Sequence, residues 1–148
     1  MRLSDEGVAL LKEYEGFSAT AYRCPAGKLT AGYGHVLLAG EAQECPLTEA
    51  KAEAWLRRDV EKIEKTLENM VLLPLAQGQW DAVVCLAYNI GCAALLKSTL
   101  LRKINAGDVS GAAGEFERWI FAGGRVLPGL VRRRQAEKQL FMTAKAMA

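Results

Sequence analysis

Hydrophobic positions near the N-terminus recur at helical spacing and then change to the alternation typical of short strands. Val8, Leu11 and Tyr14 follow one another at three-residue intervals, after a serine and two acidic residues that suit the start of a helix. Gly16 supplies the stop signal of that helix. From residue 17 to 36, apolar and polar side chains alternate around glycine-containing turns, which predicts short antiparallel strands.

The longest amphipathic segment follows in the middle of the chain. A loop through Gly40 to Pro46 leads to Thr48, a suitable N-cap, and a helix is predicted from Glu49 to about Met70. Its apolar face consists of Ala52, Trp55, Leu56, Val60, Ile63, Leu67 and Met70, and charged residues cover the other face. So long a helix after a small β segment predicts a connector between two lobes.

Past this helix the chain shows helical patterns only. An apolar central helix is predicted over 79–90, followed by a short helix capped by Ser98 and another over 108–121. A turn-rich segment over 123–129 precedes a last helix that carries Arg132–Arg134. Such an arginine run is typical of a solvated face with one arginine paired to a carboxylate. Core packing is predicted for three aromatic residues, which are Trp80, Phe116 and Trp119.

Composition narrows the class of protein. A chain of 148 residues with 51% apolar and 24% charged residues fits one domain with a real core, expected over 1–148. The net charge of +2 is too small to argue for nucleic acid. We find no apolar leader and no run long enough for a membrane span. If the protein acts outside the compartment in which it is made, we therefore expect another protein to release it.

The cysteines do not form a metal-binding pattern. No paired spacing occurs among them, and His35 is the only histidine, so neither a metal nor another cofactor is expected. Cys85 and Cys92 lie in an apolar helical stretch and are predicted to be buried free thiols. A disulfide between Cys24 and Cys45 is left open, and the chain is assigned to a reducing cytoplasm.

Candidate chemistry gathers in the first thirty-five residues. Glu15 ends the first helix, where the negative helix end and nearby aromatic rings would raise the pKa of its carboxyl, as a general acid requires. Cys24 and Thr30 lie in the hairpin that follows. Inverting glycoside hydrolysis needs an acid on one side of the bond and a polar group that holds water on the other. The thiol and hydroxyl suit the second role, although a thiol is a poor base.

Glu15, Cys24 and Thr30, followed by Gly32-Tyr33-Gly34-His35, resemble the catalytic pattern of the phage-type (T4-like) lysozymes, the endolysins of glycoside hydrolase family 24. The spacing is glutamate, eight residues, aspartate or cysteine, five residues, threonine. Blocks further along match the family in order, with the shorter lambdoid-phage members at the C-terminal end; they are Gln79-Trp80-Asp81-Ala82, Tyr88-Asn89-Ile90-Gly91, Ser98-Thr99-Leu100-Leu101-Arg102 and Pro128-Gly129-Leu130-Val131-Arg132-Arg133-Arg134. The resemblance therefore covers essentially the whole chain.

The resemblance implies a predominantly helical α+β, lysozyme-like fold with a cleft between two lobes. A small lobe with the β-hairpin would span about 14–47, an interlobe helix about 48–70, and a helical lobe about 71–148 packed with the N-terminal helix. The implied activity is hydrolysis of the β-1,4 bond between N-acetylmuramic acid and N-acetylglucosamine in peptidoglycan, with inversion, for host-cell lysis. Glu15 would be the general acid, and Cys24 with Thr30 would place the attacking water.

The family positions also imply substrate-binding roles for a further set of residues: Tyr33, His35, Tyr88, Asn89, Gly129 and Arg133. For His35 we favour bracing of the hairpin through a salt bridge over chemistry. Packing alone would also explain Tyr88, and Arg133 could face inward or toward the cleft. The implied protein is a monomer that binds peptidoglycan, takes no nucleic acid or membrane as partner, and leaves the host cytoplasm for the periplasm through a holin pore.

Three other functions remain open at this level. A lytic transglycosylase needs only the acid and produces a 1,6-anhydro sugar without consuming water. A cysteine peptidase or amidase would use Cys24 as nucleophile with His35 as base, although Cys24 precedes a proline in a turn. A non-enzymatic binder of nucleic acid or cell wall has support only in the basic pI near 8.4 and the arginine run.

Overall fold

The computed structural model of the chain describes residues 1–146, with side chains through residue 143. Over that range the protein is predominantly helical and carries two small antiparallel sheets, which confirms the predicted α+β class. Two compact units are present. One comprises Val8–Lys62, and the other comprises Met1–Gly7 with the chain from Ile63 onward.

The unit of Val8–Lys62 contains the three-stranded sheet. Its elements are α1 (Asp5–Glu15, which starts just before the unit), β1 (Ser18–Arg23), β2 (Leu29–Gly32), β3 (His35–Val36) and the first part of α2 (Glu49–Met70). The helix α1 ends as its sequence predicts, because Gly16 takes a φ of +71° and donates its N–H to the Lys12 carbonyl at 3.0 Å. The start of α2 is also confirmed, since the Lys51 N–H donates to the Thr48 hydroxyl at 3.1 Å.

The strands of this sheet run in the order β1-β2-β3, each antiparallel to its neighbour. Tyr22 lies opposite Thr30, and Thr30 lies opposite Val36. On the other face, Ala31 and His35 are opposite one another and are 0% and 3% exposed. The buried face therefore anchors the sheet, and the row that includes Thr30 belongs to the face that carries the candidate site.

The loop predicted over 40–46 contains a short 3-10 helix, Glu41–Glu44. The side chain of Glu41 is 8% exposed and accepts the Leu38 N–H at 2.6 Å and a ring nitrogen of His35 at 2.8 Å. Both partners lie outside the 3-10 helix. The local pattern of polar residues therefore does not predict this helix.

The other unit is wholly helical apart from a two-stranded ribbon. Besides the end of α2, its elements are α3 (Gln77–Ile90), α4 (Cys92–Leu96), α5 (Thr99–Asn105), α6 (Val109–Glu115), β4 (Phe121–Ala122), β5 (Arg125–Val126) and α7 (Pro128–Ala146). The predicted cap of α5 is confirmed, since the Ser98 hydroxyl accepts the Leu101 N–H at 3.0 Å. The Asp108 carboxylate likewise accepts the Gly111 N–H at the start of α6, also at 3.0 Å.

The core of this unit forms around the apolar helix α3. Trp80 and Phe116 are 4% and 0% exposed, as predicted, and the ring of Phe116 lies 5.5 Å from that of Phe141. Trp119 differs from the prediction, because it lies beyond a short 3-10 turn, Phe116–Arg118, and is only half-buried.

Three features of this unit correct the sequence interpretation. The helix predicted over 108–121 ends at Glu115, and α4 was not predicted. The segment over 123–129 is partly a hairpin turn, in which Gly123 and Gly124 take φ values of +59° and +78° between β4 and β5. Strands of two residues carry too little alternation to be seen in a sequence.

The four cysteines are free thiols, and no Cys24–Cys45 disulfide is formed. Cys85 is buried as predicted, but Cys92 is only half-buried. Within residues 1–146, none of the helices combines the length and the apolar character that crossing a membrane requires.

Candidate active site

Glu15 is the last residue of α1, and its half-buried carboxylate lies against the tight turn between β2 and β3. A β-carbon built on Gly34 would lie 2.4 Å from the Glu15 Oε1 atom. Gly34 also has a φ of +76°, which side-chain-bearing residues rarely adopt. Glycine at this position thus gives the carboxylate the room that it occupies, a role that the sequence analysis missed.

Cys24 follows β1 in a tight turn that closes on itself. Its N–H donates to the Lys28 carbonyl at 2.9 Å, and its carbonyl accepts the Gly27 N–H at 2.8 Å. Hydrogen bonding from the Lys28 backbone lowers the pKa of the Cys24 thiol, against the opposing effect of desolvation, with further help from the Ala26 backbone and the Thr30 hydroxyl. The thiolate is therefore more populated near neutral pH than in an ordinary cysteine.

Thr30 lies on the central strand with 3% of its surface exposed. Its Oγ1 atom is 3.0 Å from the Lys28 carbonyl oxygen, to which the hydroxyl can donate. A hydroxyl has a single hydrogen, so donation to Lys28 and donation to the Cys24 sulfur are alternatives. When Lys28 takes the hydrogen, both lone pairs of Oγ1 are available to a water molecule.

Tyr22 connects the acid to the turn. Partial burial raises the pKa of its phenol, and the negative charges of Glu15 and then Cys24 raise it further. One phenol therefore lies within electrostatic range of both groups, and its strand partner is Thr30. Tyr22 thus connects the three candidates, because its phenol interacts with the charges of Glu15 and Cys24 and Thr30 lies opposite it in the sheet. In the sequence analysis, this tyrosine is considered only among the aromatic residues close to Glu15.

His35 is clamped between two carboxylates. Its Nδ1 is 2.6 Å from Asp59 Oδ2 and its Nε2 is 2.8 Å from Glu41 Oε1, and its ring centroid is 4.8 Å from that of Trp55. Burial opposes ionisation of Glu41, but hydrogen bonds from His35, the Leu38 N–H and an arginine outweigh it and lower the pKa of that carboxyl to about 2.

This clamp is the predicted bracing salt bridge, made here with two partners rather than one. Because both ring nitrogens are occupied by carboxylates and the residue is 3% exposed, His35 has no nitrogen available to activate a thiol. The structure thus contradicts the Cys24–His35 pair that a cysteine peptidase would need. A substrate contact of His35 stays a prediction.

Tyr33 is part of the packing of the hairpin. It is 6% exposed, its ring centroid lies 5.7 Å from that of Phe17, and the Lys12 ammonium lies over the ring at 5.7 Å. A substrate contact by Tyr33 stays a prediction.

Three of the remaining candidates have accessible surface. Tyr88 is half-buried and Asn89 is exposed near the end of α3, and Gly129 is exposed in the first turn of α7. These residues belong to the unit that starts again at Ile63, and their substrate contacts stay predictions.

Arg133 points inward, one of the two placements considered for it. It is 4% exposed, and its guanidinium donates to Glu137 at 3.1 Å and to the Cys85 carbonyl at 3.0 Å. Arg134 is 0% exposed, its Nε lies 2.8 Å from Glu137, and another of its nitrogens lies 3.3 Å from the Trp119 carbonyl. Two arginines of the run are thus buried on one carboxylate, which corrects the predicted solvated face. Substrate binding by Arg133 stays a prediction.

No group of three or more histidine, cysteine, aspartate or glutamate side chains converges to hold a metal ion in the part of the chain that the structure describes.

The chain matches the family model described as "Phage lysozyme" over residues 12–137. It is 46% identical over 150 residues to the endolysin of Acyrthosiphon pisum secondary endosymbiont phage 1, with 97% of this chain and 100% of that protein covered. It is 40% identical over 149 residues to the endolysin of Bacillus phage B103, with 99% of this chain covered, but spans only 56% of that longer protein.

A solved structure shows the same architecture. The muramidase domain of SpmX from Asticaccaulis excentricus superposes with a TM-score of 0.87 at 39% sequence identity, covering 95% of this chain and 97% of that domain. The matched range of the family model includes the whole segment from Glu15 to Thr30.

Proposed function

The chain belongs to the phage lysozyme family, and on that premise we propose that it is an endolysin that cleaves bacterial peptidoglycan. The reaction is hydrolysis of the β-1,4 bond between N-acetylmuramic acid and N-acetylglucosamine, with inversion at the anomeric carbon. The observation that supports it most directly is the convergence of Glu15, Cys24 and Thr30 around one exposed phenol within the unit of Val8–Lys62.

Glu15 is proposed as the general acid. It gives its proton to the glycosidic oxygen as the bond to the anomeric carbon breaks, and the carboxylate is later reprotonated from solvent. The carboxyl lies against the backbone turn at Gly34 rather than at the end of a free side chain. A fixed acid needs less reorientation before proton transfer, which is the advantage of preorganised catalytic groups.

Cys24 and Thr30 are proposed to place the attacking water. The lowered pKa of the Cys24 thiol gives a thiolate that accepts a hydrogen bond from water, and the Thr30 oxygen offers a second acceptor. Water adds to the anomeric carbon on the face opposite the leaving group and releases its proton to the thiolate or to solvent. Cys24 occupies the position at which the family pattern has aspartate or cysteine. Its proposed role is to accept a hydrogen bond from water, not to act as a nucleophile.

Substrate contacts elsewhere are part of the same proposal. Asn89, Tyr88 and Gly129 are retained as residues that bind the sugar chain, because the family pattern includes them and they have accessible surface. We further propose a monomer that reaches the cell wall from the host cytoplasm after a holin opens the membrane. Light scattering of the purified chain and lysis with and without a co-expressed pore protein test these two points.

The competing lytic transglycosylase is not favoured by the comparisons, which are with lysozymes, endolysins and a muramidase domain. Product analysis decides between the two reactions. Digestion of purified peptidoglycan should give muropeptides with a reducing N-acetylmuramic acid end, heavier by one water than the 1,6-anhydro products of a transglycosylase. Anhydro products, or release of amines without reducing sugar, would overturn the proposal.

A further inference from the structure

Three residues on adjacent strands form a row across the sheet, which we call the cross-sheet row: Tyr22 on β1, Thr30 on β2 and Val36 on β3. Residues that lie directly opposite in antiparallel strands present their side chains on the same face. The neighbouring pair Ala31 and His35 faces the other way and is buried. The row therefore lies on the face of Thr30, beside the groups assigned to the chemistry.

The two outer members of the row are open to solvent. Tyr22 is 41% exposed and Val36 is 44% exposed, whereas Thr30 between them is 3% exposed. Neither side chain is needed to fill the core at that level of exposure. An aromatic ring and an apolar side chain thus flank the Thr30 hydroxyl on the same face of the sheet, where a sugar could contact both.

The Tyr22 hydroxyl has the chemistry of a hydrogen-bond donor to a sugar. Within residues 1–146 it makes no hydrogen bond, although it lies in the field of Glu15 and Cys24. The raised pKa of the phenol keeps the hydroxyl protonated at neutral pH, so it remains a donor while both neighbours are acceptors when ionised. Pyranose rings present oxygen acceptors at their edges and apolar C–H groups on their faces, which suits a tyrosine side chain.

We propose that Tyr22 is a substrate-binding residue of the active site, whose hydroxyl donates to an oxygen of the saccharide bound beside Glu15 while Val36 contacts an apolar face of the sugar. The inference rests on the proposed hydrolase function and adds two residues that the catalytic pattern of Glu15, Cys24 and Thr30 does not contain. It makes Tyr22 a determinant of affinity for the sugar chain rather than a source or acceptor of protons.

The test measures binding without turnover. Tyr22→Phe and Val36→Ala are introduced into the Glu15→Gln variant, and their affinity for soluble peptidoglycan glycan fragments is measured by calorimetry. Tyr22→Phe should weaken binding about tenfold, the loss of one hydrogen bond between neutral groups, and Val36→Ala by about threefold. Leu29→Ala is the matched control, because Leu29 is 40% exposed on the same sheet but faces away from the row, and it should leave affinity unchanged.

The outcomes separate this inference from the proposed function. Activity that survives in Glu15→Gln alone would overturn the proposed role of Glu15 as general acid. An inactive Glu15→Gln with unchanged affinity in Tyr22→Phe would overturn the inference and leave the function standing. In the otherwise native chain, Tyr22→Phe should raise KM and leave the pH profile of kcat unchanged. A shifted pH profile with unchanged affinity would mean that Tyr22 positions Glu15, and that result would also contradict the inference. Circular dichroism confirms that the variants fold.

Discussion

Glu15 owes its position to the absence of a side chain at Gly34. The carboxylate fills the space that a β-carbon would take, so the acid and the turn are mutually dependent. The sequence does not predict this contact, because the two residues are nineteen positions apart and the glycine indicates only a turn in the hairpin. Two substitutions test the dependence at the scale of single residues.

Gly34→Ala should lower kcat about 100-fold, because the new methyl group would meet Glu15 Oε1 at 2.4 Å and displace the acid. Gly40→Ala is the matched control: its φ of +84° imposes a similar backbone strain of about 1 kcal/mol, but no atom lies within 4 Å of the new carbon. Thermal unfolding should therefore respond alike in both variants, while only Gly34→Ala loses activity. Equal activities would refute the contact.

The Cys24 and Cys85 thiols should differ in their rates of alkylation, because they differ in solvent exposure and in pKa. Cys24 is partly exposed and its pKa is lowered by the Lys28 backbone, whereas burial raises the pKa of the Cys85 thiol. Iodoacetamide near neutral pH should modify Cys24 first and abolish lysis, with Cys85 unmodified in the native state. Mass spectrometry of peptides reads the order, and the same treatment of Cys24→Asp should spare its activity. Modification of Cys85 ahead of Cys24 would contradict the assignment.

At the scale of elements, the end of the hairpin is held to α2 and to the 3-10 helix by the carboxylates around His35. Glu41 accepts from His35, from Leu38 and from Arg58 Nη2 at 2.7 Å, so three elements meet on one side chain. The strand that carries Thr30 is thereby fixed by its neighbour β3. Loss of the hydrogen bonds of Glu41 should therefore lower the free energy of unfolding more than it lowers catalytic activity.

Glu41→Gln should lower the free energy of unfolding by about 1.5–3 kcal/mol at neutral pH, the contribution of hydrogen bonds to a charged group. The pKa of Glu41 is about 2 in the folded chain and near 4.5 when unperturbed, so its ionised form favours folding above about pH 4.5. The advantage of the native chain over the variant should shrink as pH falls from there through about 2. Chemical denaturation across this range measures it; a difference independent of pH would contradict the assigned carboxylate.

A helix or strand can be predicted from the sequence when the residues that fix its ends are close to it in the chain. The bounds of α1 and the starts of α2 and α5 were predicted, because Gly16, Thr48 and Ser98 act on backbone groups a few residues away. The 3-10 helix at Glu41–Glu44 was not, since its contacts come from His35 and Leu38. The ribbon β4–β5 was seen only as a turn, because two-residue strands have no period to detect.

The candidate site follows from the sequence in part, for the same reason. Glu15, Cys24 and Thr30 are singled out by their spacing, but the place of Tyr22 opposite Thr30 and that of Gly34 against Glu15 require the strand register and the backbone conformation. For the arginine run a signal did exist: Glu137 follows Arg133 and Arg134 at four and three residues, the spacing of side-chain pairs on one helix face. Its burial could not be read from that spacing.

At the scale of the whole molecule, the most costly polar feature is the cluster of Arg133, Arg134 and Glu137, which are 4%, 0% and 0% exposed. Removing the carboxylate would take away the negative charge that Arg133 and Arg134 share, while both guanidinium groups stay buried. Glu137→Gln should therefore destabilise the chain by about 3–5 kcal/mol, the typical effect of breaking a buried ion pair. The control is Glu117→Gln, whose ion pair with Lys138 is exposed and should contribute about 0–1 kcal/mol. Equal effects in urea denaturation would rule out the cluster as a stability determinant.

The central claim is that Glu15 protonates the leaving glycosidic oxygen, and steady-state kinetics of Glu15→Gln on purified peptidoglycan tests it most directly. Glutamine keeps the shape of the side chain but has no proton to give. We expect kcat to fall by about 100-fold to 10,000-fold, the usual contribution of a general acid, with the thermal unfolding midpoint unchanged. A variant that folds normally and retains kcat within about tenfold of the native value would contradict it.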